Sequence, residues 1–274
     1  MRPASEVALS FSLLRCVPRR LTVACCFSGL VLSAADPNGS FAGREPESGL
    51  LARAAAANRD LYSTLQSFVC GEQIERYRGH AGSAGGKHID TVTAKVSLEN
   101  GTETYSDIQQ KKRPIRELAE LGGAWSEGEF GTLLMQTEQL LRTQRVSFEG
   151  QTEVNGAPAV LCRFDVLAAD SPWHLAVSGE NYLIPFHTEV WIAAGTGQIL
   201  KIARTSNDLP GPLGIAQIDW GVTLSAVTLN GKSWLLPGRG EYQVTYRNSG
   251  RREWNTMTFE GYRRYGSEVA LSFN

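Results

Sequence analysis

Three Asn-Gly pairs, Asn100-Gly101, Asn155-Gly156 and Asn230-Gly231, each stand between two stretches in which apolar and polar residues alternate. An Asn-Gly pair supplies the two positive φ values of a type I′ turn, whose twist matches that of the strands it joins. Ahead of the first pair, Asp90, Val92, Ala94, Val96 and Leu98 alternate with Thr91, Thr93, Lys95, Ser97 and Glu99, and residues 102–108 return after it. Residues 146–154 and 159–167 flank the second pair, and 215–229 and 233–236 the third. Three such hairpins commit most of the chain to one antiparallel sheet.

Further period-two stretches at 68–77, 183–193, 198–205, 241–247, 253–261 and 268–273, with turns at 195–197 and 248–250, bring the expected total to about eleven strands. Two regions break the pattern. Leu50, Leu51, Ala54, Ala55, Asn58, Leu61, Tyr62 and Leu65 follow helical spacing, with Arg53, Arg59 and Asp60 off the stripe, which predicts an amphipathic helix over 48–67. Between 114 and 142, Ile115, Leu118 and Leu121 suggest a short helix. Phe130, Leu133, Leu134, Thr137, Leu140 and Leu141 mark a second, entered through residues 122–129. Helices inserted in a long antiparallel sheet cover one of its faces. The expected class is therefore mainly β (α+β).

The first 35 residues carry Arg2, Arg15, Arg19 and Arg20 against the single acid Glu6, then an apolar run from Leu21 to Leu32 followed by Ser33, Ala34 and Ala35. This is the layout of a signal peptide, with small residues where signal peptidase needs them and cleavage expected after Ala35. About a dozen apolar residues is short for a membrane span. Retention as an anchor, or lipidation at Cys25 or Cys26, are the alternatives. Residues 36–47 read as a solvated tether, and 48–274 as a single domain. The expected location is periplasmic or secreted, with no membrane span after cleavage. Near-balanced charge, 27 Lys+Arg against 28 Asp+Glu, argues against nucleic-acid binding. Cys70 and Cys162 survive removal of the leader; export permits a disulfide between them, and two separately buried thiols is the alternative.

No catalytic signature emerges. His80, His88, His174 and His187 lack metal-ligand spacing, Gly85-Gly86-Lys87 lacks the first Gly and the Ser/Thr of a phosphate loop, and no Gly-x-Ser-x-Gly elbow occurs. No cofactor is implied. The acid pairs Glu72 with Glu75 and Glu127 with Glu129 are candidates for acid–base work only if the fold pockets them. Lys111-Lys112-Arg113 and Arg251-Arg252 read as solvated basic runs, with docking to anionic lipid head groups as the functional alternative. Six tryptophans spread along the β region serve core packing first.

The stretch Glu189-Val190-Trp191-Ile192-Ala193-Ala194-Gly195-Thr196-Gly197-Gln198-Ile199-Leu200-Lys201-Ile202 resembles the V-W-I-D-x-x-T-G-x-x-L-R-I hairpin of the LolA-like periplasmic lipoprotein-sorting family, with Ala194 and Lys201 in place of the usual acid-rich turn and Arg. Phe68-Val69-Cys70-Gly71-Glu72, residues 125–131 and residues 259–265 also look like those of exported soil-bacterial proteins of this layout. The resemblance implies an unclosed half-barrel of eleven strands, with an N-terminal helix and internal helices that plug or lid its concave face. It further implies a non-enzymatic envelope protein that carries a lipid acyl chain or a lipidated protein. On that analogy the ligand-contacting residues are Trp125, Phe130, Leu133, Leu134, Leu140 and Trp191, unless they simply plug the core. The other readings are a sensor or scaffold that meets an envelope protein through the same fold, and a secreted hydrolase with a non-standard site.

Overall fold

The computed structural model describes residues 7–9, 47–83, 85–99, 102–177, 179–207 and 209–264. Its elements run β1 (Val7–Leu9), α1 (Glu47–Leu65), β2 (Phe68–His80), β3 (Gly86–Glu99), β4 (Thr102–Gln110) and β5 (Arg113–Pro114). Then come β6 (Ala124–Trp125), α2 (Thr132–Thr143), β7 (Ser147–Val154), β8 (Ala157–Val166), β9 (His174–Val177) and β10 (Glu180–Leu183). The last are β11 (Phe186–Ala193), β12 (Ile199–Ser206), β13 (Ile215–Leu229), β14 (Lys232–Tyr246) and β15 (Arg251–Arg264).

Eleven strands form one antiparallel sheet in the order β5-β4-β3-β2-β15-β14-β13-β12-β11-β8-β7. Its outermost strands, β5 and β7, do not pair with each other, so the sheet curves into a half-barrel and stays unclosed. The hairpin turns adopt the geometry their residues favour: Asn155 and Gly156 have φ of 50° and 78°, and Asn230 and Gly231 have 51° and 74°. Asn100-Gly101 lies outside the described residues, but Glu99 pairs with Thr102 across that turn.

Several boundaries differ from those the sequence suggested. The expected stretches 233–236 and 241–247 merge into one strand, β14, which ends at Tyr246, because a register irregularity beside Leu224 lets Pro237 and Gly238 pass through the ladder. Proline, lacking an N–H, is tolerated in a sheet at such irregularities. The stretch 183–193 is two elements, β10 and β11, split at Ile184-Pro185. The short helix shrinks to a single 3-10 turn at Leu118–Glu120. A small second sheet, β10-β9-β1-β6, was not foreseen. The leader and tether lie outside the described residues apart from β1 and the start of α1, as does the stretch 268–273. β1 pairs with Ala124–Trp125 on one side and with β9 on the other.

Both helices lie on the inner face of the sheet. α1 packs on α2 and touches β2, β12 and β14, burying Leu50, Ala54, Asn58 and Leu65 of its predicted stripe. Inward strand residues such as Val92, Val96, Ile202, Val222 and Val244 complete the main core with them, and Val154, Ala159 and Leu200 form a smaller second cluster. Cys70 in β2 and Cys162 in β8 are buried thiols with five strands between them in the sheet order, and they are not joined to each other. Their parity directs each into the core as a small apolar side chain, so the disulfide considered from the sequence is not formed.

Candidate ligand-binding site

Residues 122–144 form a cover over the inner face. Trp125, Phe130, Leu133, Leu134 and Leu140 all point into the core, between 0% and 6% exposed. Phe130 lies against Tyr262 and Phe259, with ring centroids 6.2 Å away in each case. Five of the six side chains that the sequence resemblance singled out are thus brought together. Trp191 does not join them. On β11 the buried residues are Phe186, Thr188, Val190 and Ile192, so Trp191 faces outward, where Lys201 stands 4.6 Å over its ring.

Polar groups on the sheet fasten this cover at each step. Arg76, itself 3.4 Å from Asp90, donates to the Gly122 carbonyl. Glu253 accepts the Ala124 N–H at 2.9 Å and Asn255 donates to the Ala124 carbonyl at 3.1 Å, which holds β6 against β15. Glu103 of β4 accepts the N–H groups of Gly131 and Thr132 at 2.7 Å each and that of Gly128 at 3.2 Å. The Gly131 and Thr132 N–H groups are unpartnered donors at the start of α2, and a carboxylate also suits the positive end of the helix dipole. Asn58 donates to the Leu134 carbonyl at 2.6 Å, and buried Arg204 donates to Gln136 at 2.7 Å and Thr137 at 3.3 Å.

Ionisable groups are enclosed where the cover meets the sheet. Glu72 and Glu129 are fully enclosed, and Glu127 is largely so. Burial and then the negative charges of Glu129, Glu103 and Glu127 push the Glu72 carboxyl well above its ordinary range. Burial, followed by Glu103 and Glu117, raises Glu127 to about 7. Burial also raises Glu129 to about 7, although the Ser126 hydroxyl and the Trp220 N–H, at 2.5 Å, both donate to it. Arg204 is lowered to about 9 by burial, and its guanidinium lies 4.6 Å over the Phe186 ring and 5.6 Å over Trp220.

The acid pairs noted in the sequence fare differently. Glu127 and Glu129 share one enclosed loop, whereas Glu72 faces inward and Glu75 outward, where it meets His88 and Thr91. The fasteners Arg76, Asp90, Glu253, Asn255 and Arg204 were missed. Their signal was polarity at a position whose parity points inward, as with Arg204 between Ile202 and Ser206. Among the described residues no group of three or more His, Cys, Asp or Glu side chains is placed to hold a metal ion, and no helix is long and apolar enough to cross a membrane.

No protein family matches the chain, and no curated protein matches it. Solved structures do, 20 chains in number. One is a domain from Vibrio parahaemolyticus described as outer membrane lipoprotein-sorting, with 9% identity and a TM-score of 0.38, covering 81% of this chain and 94% of that one. The Mycobacterium tuberculosis lipoprotein LppX has 10% identity and a TM-score of 0.28 over 79% of this chain and 96% of its own. A chain of the Pseudomonas aeruginosa MucA/MucB complex has 11% identity and a TM-score of 0.21 over 79% of this chain and 98% of its own.

Proposed function

We propose that this is an exported, non-enzymatic binding protein of the envelope that takes an apolar chain, from a lipid or a lipidated protein, on the inner face of the half-barrel beneath the 122–144 cover. The observation that carries the reading is the cover itself: a greasy segment on the inner face of the unclosed sheet, with its own Glu127 and Glu129 and the sheet's Glu72 enclosed at the contact. Fully burying a Leu or Phe side chain stabilises by about 1.5–3 kcal/mol, so Phe130, Leu133, Leu134 and Leu140 together contribute about 6–12 kcal/mol. A guest chain of about 8–12 methylenes, at about 0.8 kcal/mol each, offers the same wall about 6–10 kcal/mol. The gain from the guest is thus comparable to that from the cover, and an association cost of about 4–15 kcal/mol keeps loading weak enough to reverse.

Ionisation tips that balance. Glu127 and Glu129 have carboxyls near 7 under the cover and an ordinary value of 4.5 in water. Their pKa values are raised by closure, so the closed form is fully favoured below 4.5 and loses that advantage as pH rises through about 7, by on the order of 3 kcal/mol per carboxylate. Acyl-probe affinity is expected to rise as pH climbs from 4.5 through about 7, and Glu72, whose carboxyl is raised under the same cover, extends the rise to higher pH. Native mass spectrometry of the protein taken from its own envelope, with tryptophan emission titrated against an acyl probe, tests the reading. Bound lipid and a saturable emission change support it; protein without lipid, whose emission ignores the probe at every pH, overturns it.

A second reading, contact with an envelope protein, is favoured by a groove of 450 Å³ on the outer face across β12 to β15, rimmed by Lys201, Thr223, Arg239, Glu241 and Trp254. A stoichiometric protein partner that Thr223→Trp displaces, with no lipid on the inner face, would replace the first reading.

A further inference from the structure

The half-barrel has a second feature that owes nothing to its apolar cover. A cleft of 560 Å³ opens where the ends of β2 and β3 meet the turn after β4 and the start of β15. Arg78, His80, Lys87, His88, Lys111 and Arg251 line it together with Gly79, Ile89 and Ser249, and no carboxylate does. These basic groups come from four separate stretches of chain, so the sheet order rather than any local run assembles them. We propose that this cleft is an anion site that takes a phosphate group, as the free ion or as the ester of a lipid head group.

Three observations carry the assignment. First, the charge is not neutralised locally. Glu253 sits behind the cleft, 3% exposed, with the Arg78 Nε at 2.8 Å and the Arg251 Nε at 3.6 Å. One carboxylate thus faces two guanidiniums, and it also takes the Ala124 N–H. Glu75 engages His88. Lys87 and Lys111 make no ion pair among the described residues. Second, the guanidiniums are held in place. Arg251 lies 4.0 Å over the Tyr246 ring as well as beside Glu253. A planar fork fixed in this way presents paired donors to a tetrahedral oxyanion, and two ammoniums complete the charge.

Third, the lysine turn is conformationally costly. Lys111 and Lys112 have φ of 51° and 65°, and the turn is held by the Lys111 N–H on the Thr91 carbonyl at 3.1 Å and by Gln110 pairing with Arg113. Left-handed backbone favours Gly or Asn, and other residues there cost on the order of 1 kcal/mol or more. Asn155 and Asn230 occupy this region elsewhere in the chain, as that rule expects. At this turn lysine stands in the same conformation, with its ammonium at the rim of a basic cleft.

Phosphate binding by the full chain can be measured calorimetrically with inorganic phosphate at low ionic strength, and by co-sedimentation with vesicles of phosphatidylcholine, alone or with phosphatidic acid. The variants are Lys87→Gln/Lys111→Gln, both exposed and outside the ion pairs, and the control pair Lys201→Gln/Lys232→Gln on other surfaces. Saturable binding that falls at least about tenfold in the first pair and stays within about twofold in the control supports the site. Binding of vesicles alone identifies the head group, and binding of the ion alone identifies a soluble phosphate. No saturable binding in either arm, or equal weakening by both variant pairs, overturns the proposal. Acyl-chain loading of the inner face is read separately by tryptophan emission, so failure here leaves that reading standing.

Discussion

Gly123 shows how much one position carries. Its φ is 85°, and a Cβ placed there would come within 2.9 Å of the Glu253 Oε2. That oxygen accepts the Ala124 N–H, so a side chain at 123 strains the backbone and also pushes away the group that pins β6. Gly123→Ala is expected to lower unfolding free energy by about 1–3 kcal/mol, read from the urea midpoint at constant slope. An unchanged midpoint would show that the cover is not pinned at β6. The sequence showed Gly122-Gly123 as an entry to a helix, which is correct, but nothing local to it announced a carboxylate arriving from β15.

At the scale of elements, α2 is capped from outside its own segment. Gly131 supplies no side-chain cap, and Glu103 of β4 accepts the first N–H groups instead. Losing a charged acceptor there costs about 1–2 kcal/mol, so Glu103→Gln should destabilise the protein by that amount. Glu103 also holds the carboxyls of Glu127 and Glu129 up. The same variant should therefore shift their titration to lower pH, visible in side-chain carboxyl NMR, and carry the pH rise of acyl-probe affinity with it. A helix that lost its cap without moving those titrations would separate capping from the charge effect. The stripe of α2 was legible as helical spacing; its cap was not, because a partner 28 positions away in sequence leaves no local mark.

The whole molecule is a curved sheet folded around its own cover. Since Cys70 and Cys162 are separate core thiols, the unfolded protein should take up two alkyl groups after leader removal, with the same mass whether or not reductant was present. A difference on reduction would require the sheet to bring β2 and β8 together, contrary to their order. The outward-facing Trp191 and inward-facing Trp125 and Trp220 also predict divided emission behaviour. Aqueous quencher should reach part of the signal, while an acyl probe beneath the cover should alter the remainder.

Alternation and Asn-Gly turns determined the strands, their antiparallel pairing and which side chains of each strand face the core, because a strand's two faces and a type I′ turn are properties of adjacent residues. The helical stripe of α1 was local in the same sense. Which polar residues meet was decided only by the tertiary structure. Arg76 with Gly122, Glu253 with Ala124, Arg204 with Gln136 and Arg78 with Glu253 at the basic cleft all join distant segments, and electrostatic contact depends on distance through space, which strand order sets and local sequence does not record.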